Sequence, residues 1–447
     1  MSKFDDIRCQ FPITSQCFTA PDGVERSIIY LDHGASTHPP TPVLDTYREF
    51  LEKYYANIHR GNHYLSQKAS ALFDAVSETI LHFLGADPAN NEVVFTTNTT
   101  TALDLGGYLM SQTEGGTLVS SMEHHSNDLP HRRHGPVHRV EVLADGSLDY
   151  NDLESKLKNN RIKLVAITGA SNVTGFMPDI YGIARLAHQH GAKILVDAAQ
   201  LVAHHSINIR PDDHPEHIDF LAAAGHKAYA PFGAAFLVAN RAAFNAATPY
   251  IPGGGTVKFV TDTDVVWADG MERHLSGTPN IAGVIALGEA ITWLNTIGMD
   301  WVRQHELEIL KPIEQKLRAI AGVTVLGDIP AEKKLGVLPF TISGVHHDVV
   351  STVLNNNYGI ATRNGCFCAH PYLTRLLGCT DADAVRQKVA TGQSVQLPGA
   401  VRATIGIFNS MEDLNALVDA VAEIASEKER YAASINLESA ACLEALI

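Results

Sequence analysis

The sequence predicts an α/β fold built on a mostly parallel sheet, joined to a smaller α+β domain. Three observations carry that expectation. Short β-rich runs alternate with helical stretches between residues 92 and 238, one β-α-β unit among them is sharply bounded, and the pattern changes after Asn280. The candidate strands are 92–96, 117–120, 164–168, 193–197, 220–222 and 235–238. Between the third and fourth, the apolar residues of segment 179–191 recur at helical spacing and Gly191 supplies a stop. A strand, a helix and a second strand in that order make a parallel crossover. After Asn280, residues 281–297 and 301–320 read as two long amphipathic helices. Strand-like pieces at 322–326 and 337–342 and a closing helix at 411–427 complete the chain.

At 447 residues the chain is too long for one ordinary domain. We expect residues 1–30 to pack with the small domain, 31–299 to form the large domain, and 300–447 to form the small one. The polar stretch near 380–399 reads as an insertion, either a loop or a helical excursion. The chain is 45% hydrophobic, yet it has no run of eighteen apolar residues, and Met1 to Asp6 lack the apolar core of a signal peptide. These features predict a cytoplasmic protein without a membrane partner. A formal charge of −15 with no basic stripe argues against nucleic acid. The six cysteines show no zinc-ribbon spacing, and reduced thiols are the simplest reading.

Two residues point to chemistry. Asp197 closes a candidate parallel strand, where open α/β sheets place their ligands, and a buried carboxylate there needs a positive partner. A protonated pyridine nitrogen is such a partner. Thirty residues later Lys227 follows the candidate strand 220–222; a lysine entering such a site loses solvation and becomes nucleophilic. Lysine plus acid is the usual protein contribution to pyridoxal-phosphate (PLP) catalysis. Taken singly, each reads better as a surface lysine or a turn-capping aspartate; their joint occurrence at strand ends, with the motifs below, favours the cofactor reading.

The strings Asp197-Ala-Ala-Gln200 and Gly225-His226-Lys227 resemble the cofactor-binding signature of class V aminotransferases, nearest to the cysteine desulfurase and selenocysteine lyase branch of Suf type. The resemblance runs from Tyr30-Leu-Asp-His-Gly-Ala-Ser-Thr37 to Val401-Arg-Ala-Thr404. It passes through Asn57-Ile-His-Arg-Gly61, Thr96-Thr-Asn-Thr-Thr100, Met122-Glu-His-His-Ser-Asn127, Ser171-Asn-Val-Thr-Gly175, Gly277-Thr-Pro-Asn280 and Arg363-Asn-Gly-Cys-Phe-Cys-Ala369. It implies the PLP-dependent transferase fold type I, with a seven-stranded sheet in the large domain.

The resemblance also implies roles. Lys227 would bond the cofactor and move the substrate Cα proton. Asp197 would pair with the ring nitrogen, Gln200 with the phenolic oxygen, and His124 would stack on the ring. Thr99 and Thr100 would open a helix whose amides hold the phosphate, which is sound anion chemistry in itself. His226 would add a donor, and Thr278 another from the second subunit of a homodimer. Asn172 and Arg402 would grip the substrate carboxylate, with Arg363, His59 and Arg60 also on the substrate side.

Cys368, five residues after Arg363, matches the position that receives sulfur in the family. A thiol on a loop beside arginine and histidine is placed to act as a nucleophile. The expected activity is a cysteine desulfurase that takes sulfur from L-cysteine as a Cys368 persulfide, releases alanine and serves a sulfur-acceptor protein. A C–S or C–Se lyase, an epimerase or transaminase of a specialised amino acid, and a non-catalytic binding protein are the alternatives. A packed core thiol and a metal site of Cys366, Cys368 and His370 are the competing readings of the cysteines, and Cys366 could also pair with or relay sulfur to Cys368. Several positions depart from the desulfurase pattern: Ala224 replaces a phosphate-contacting serine, Asn98 replaces a glycine, and Thr256 and Ser276 stand where glutamates are usual. His124, His125, His131, His134 and His138 crowd one stretch, but their spacing fits no compact ligand set, so no metal is expected.

Overall fold

The computed structural model describes residues 2–379, 381–393, 395 and 397–432. The expected small domain therefore extends, at 433–447, outside the described residues, as do Thr380, Ser394 and Gln396 of the expected insertion. Among the described residues, seven strands form the main sheet: β1 Asn91–Thr96, β2 Gly116–Ser120, β3 Val137–Val140, β4 Ile162–Thr168, β5 Lys193–Asp197, β6 Phe220–Ala224 and β7 Ala235–Asn240. Their order is β1-β7-β6-β5-β4-β2-β3, and only β7 runs against its neighbours.

The side-chain period of two explains how this sheet is buried on both faces. Along β4, Leu164 and Ala166 point into one core with Leu103, Leu195, Phe220 and Leu237. Val165 and Ile167 point into the other, with Leu118, Val196 and Phe236. Helix Thr99–Leu109 covers the first face. The second core continues into Ile281–Ile297, a helix buried nearly all round and packed against Thr41–Lys53 and Tyr64–Phe83.

The smaller sheet contains β8 Val323–Val325, β9 Val337–Ile342, β10 Arg363–Gly365 and β11 Ala400–Thr404, in the antiparallel order β8-β9-β11-β10. Met299–Ala319, His347–Tyr358 and Met411–Ser426 pack on it through Ile309, Leu354 and Leu417. Segment 381–393 contains the helix Ala382–Ala390. Among the described residues no single helix is long and apolar enough to cross a membrane.

Within these two sheets, three strands escaped the sequence reading because polar residues interrupt them. β3 (Val-His-Arg-Val) is a half-polar edge strand, and β10 and β11 each carry an arginine that breaks the apolar run. Residues 2–30 tie both parts of the chain together. Arg8 bonds Asp413 at 2.7 Å, and Ile29 pairs with Ile360. On the other side, Phe11 wedges among Tyr229, Trp293 and Phe408, and Trp293 Nε1 donates to Gln10 Oε1 at 2.8 Å. Phe11 is 1% exposed. Phe11→Ala is expected to cost about 3–5 kcal/mol, seen as a lower denaturation midpoint, and Phe11→Leu well under half of that.

Candidate active site

Thr168, Asp197 and Ala224 end three adjacent parallel strands, and the loops leaving them line a cavity of ≈240 Å³. It lies at the C-terminal edge of the sheet, where this topology leaves a crevice. Lys227 and Asp197 both face it. Burial lowers the Lys227 ammonium to about 8, partly opposed by the nearby Asp197 charge. Burial likewise raises the Asp197 carboxyl, which among the described residues accepts one hydrogen bond, from the Ala199 amide at 3.0 Å. Among the described residues no ion pair or hydrogen bond joins the two, so each retains capacity for a group between them.

One end of the cavity is built for an anion. Asn98 caps helix Thr99–Leu109, its Oδ1 accepting from the Thr101 amide at 2.9 Å. The preceding Thr99 and Thr100 amides have no acceptor inside the helix. Thr99 Oγ1 is buried without a partner, and Thr100 Oγ1 shares a hydrogen bond of 2.7 Å with Ser126 Oγ. His226 flanks this end.

His124 also lines the cavity. Its Nδ1 accepts from the Ser126 amide at 3.1 Å, and burial together with Lys227 lowers it to about 3, so the ring is neutral. The preceding residue, Glu123, is raised by burial to about 8 and held by Ser120 Oγ at 2.5 Å and Asn127 Nδ2 at 2.7 Å. Gln200 Nε2 donates to the Gly34 carbonyl at 2.7 Å.

Another part of the wall comes from the smaller sheet. Arg402, on β11, is buried; its Nη1 donates to the Asn172 carbonyl at 2.8 Å and its Nη2 reaches Asp32 at 3.3 Å. Among the described residues its Nε has no partner. Burial lowers Arg402 and raises Asp32, so the pair holds its charge at a cost that an incoming carboxylate would offset. Arg363, Phe367 and Cys368 complete the wall, and Cys368 is exposed. Cys366 instead packs against the large core, with no role in the lining.

Within one chain the structure does not bring His59, Arg60 or Thr278 to this cavity. His59 bonds Asp74 at 2.8 Å with a left-handed φ of 68°. Gly34, Ser126 and Phe367 line the cavity although the sequence reading gave them no role; all three fall inside blocks that carried the resemblance, which was the available signal. The crowded histidines have separate partners: His134 takes Asp104, His131 takes Asn127, and His125 stacks on His370.

The aminotransferase class-V family model matches residues 29–417. The chain belongs to that family. It is 33% identical to a cysteine desulfurase of Klebsiella pneumoniae over 92% of this chain and 96% of that one. It is 31% identical to a probable cysteine desulfurase of Vibrio cholerae, over 94% and 98% respectively. The solved cysteine desulfurase of Thermococcus onnurineus superposes with a TM-score of 0.83 at 29% identity, covering 95% of this chain and 99% of that one. One from Escherichia coli gives 0.79 at 27%, covering 96% and 99%. The expected fold type I is thus the observed one, and its cofactor is PLP. The residues present fit it: an unpartnered hydroxyl and open amides at one end, a buried carboxylate, and a buried amine of lowered pKa.

A lysine at about 8 instead of 10.5 costs the folded, cofactor-free protein roughly 3 kcal/mol while charged, at ~1.4 kcal/mol per tenfold change in proton affinity. Its folded pKa lies below the unfolded one, so stability rises with pH between about 8 and 10.5 and is lost as pH falls through that window. Denaturation of the cofactor-free protein at pH 7 should show Lys227→Met more stable than wild type by up to that amount. The gain should vanish above the ordinary lysine range. Uptake of PLP, followed by visible absorbance, should slow as pH falls below about 8.

Proposed function

We propose that this enzyme is a cysteine desulfurase in which Cys368 takes the sulfur of L-cysteine as a persulfide. The observation that carries the reading is the placement of an exposed thiol on the wall of a cavity that also holds Lys227 and the Asn172–Arg402 pair. Arg402 and Asn172 hold the substrate carboxylate, which fixes the amino group toward Lys227. Lys227 Nζ takes the proton from the substrate Cα. PLP supplies the electron sink, its ring kept cationic by Asp197. The Cys368 thiolate attacks the substrate sulfur; the new S–S bond forms as the Cβ–S bond breaks, and the electron pair stays with the substrate carbon. Protonation at that carbon, with return of a proton from Lys227 to Cα, completes alanine, and no outside oxidant or reductant is needed. His124, neutral above the reaction centre, stacks on the ring and keeps that face dry.

The active assembly in this reading is a cytoplasmic homodimer, with Thr278 completing the phosphate end from the second subunit and His59 and Arg60 contributing on the substrate side. A separate acceptor protein collects the sulfur from Cys368, which the exposure of the thiol permits. Products formed from L-cysteine by wild type and Cys368→Ala test the reading. Alanine and protein-bound persulfide are expected from wild type, both falling at least about a hundredfold in the variant, as for loss of a covalent nucleophile. Pyruvate and free sulfide from both proteins would instead mean a lyase with Cys368 a bystander.

A further inference from the structure

The segment that presents Cys368 is held in an unfavourable backbone state. Phe367 and Cys368 both have φ of 55° and, among the described residues, are the only adjacent pair of non-glycine residues in that region. L-residues enter the left-handed region at a cost, so the surroundings must hold both in place. Two groups of contacts do so. On the outer side, the His125 amide donates to the Cys368 carbonyl at 2.8 Å and the His370 amide to His125 Nε2 at 3.3 Å. On the inner side, Asn172 Nδ2 donates to the Phe367 carbonyl at 2.6 Å, and the Phe367 ring lies 4.9 Å from the Arg402 guanidinium.

The inner contacts use the two side chains that the proposed function gives to the substrate carboxylate. The Phe367 carbonyl takes the Asn172 Nδ2 donor, and Arg402 Nε is buried and, among the described residues, unpartnered. A carboxylate is the stronger acceptor and offers a second oxygen to that guanidinium. We propose that Phe367 is a positioning residue that couples carboxylate binding to presentation of the thiol. Its carbonyl and ring hold the loop down on the Asn172–Arg402 pair in the free enzyme. Arrival of a carboxylate displaces the carbonyl, the left-handed pair relaxes, and Cys368 gains reach toward the substrate sulfur. The thiol is thereby restrained until an amino acid is seated.

This inference rests on the proposed function, and its test separates the two. Hydrogen exchange over 363–372 is followed in the PLP-loaded enzyme alone, with L-alanine, and with ethylamine, which has the amine and no carboxylate. Visible absorbance of the cofactor reports ligand binding in the same samples. L-Alanine should speed exchange in this segment by about fivefold or more and ethylamine should not, as expected when a ligand opens one local contact. Phe367→Leu should show fast exchange already in the free enzyme and a weakened response to L-alanine, an effect that loss of packing alone would not make ligand-dependent. An absorbance change with L-alanine but unchanged or slower exchange would overturn the coupling and leave the desulfurase reading intact. Absorbance that responds to no amino acid would overturn the desulfurase reading and this inference with it.

Discussion

The site depends on two charges buried side by side at the end of a parallel sheet without touching. Asp197 and Lys227 leave neighbouring strands β5 and β6, and each is shifted toward its neutral form by the loss of water. A direct ion pair would satisfy both and close the cavity. Their separation leaves each in need of a partner, and a cationic heterocycle with a reactive carbonyl answers both needs. The anion-binding helix terminus, the neutral His124 and the buried Glu123 are arranged around that gap, and none of them makes sense as a site without it.

The smaller sheet supplies the other half of the constraint. Arg402 is buried on β11, and its neighbours on the large-domain side, Asn172 and Asp32, come from segments that pack against it. Gly34 belongs to the same contact: a Cβ there would lie 3.0 Å from the Arg402 guanidinium carbon and 2.9 Å from the Thr404 methyl. The guanidinium is therefore fixed by groups from three parts of the chain.

The apolar runs of β4 to β7 made the large sheet readable, because strands buried on both faces must be continuously hydrophobic. Lys227 and Asp197 were readable for a related reason, since each follows such a run. β3, β10 and β11 were not, because their polar residues serve an edge or a site and hide the strand pattern. His59, Arg60 and Thr278 were named from motif alone, and the geometry of one chain leaves them away from the cavity. Phe367 lay inside a block that carried the resemblance, but its carbonyl contact and left-handed φ are not encoded by residue type, and its ring meets Arg402 only once the chain is folded.

The reversed strand β7 has a consequence for how the protein is made. It joins β1 to β6, and the Thr96–Ala235 pairing spans roughly 140 residues of chain, a costly closure for early folding. During synthesis β1 must wait, its hydrogen-bonding groups unpaired, until the ribosome has released residues through Asn240. The phosphate-binding helix begins only three residues after β1 ends. Competence to take up the cofactor therefore arises late in biogenesis, after the nascent chain has passed the lysine that will bind it.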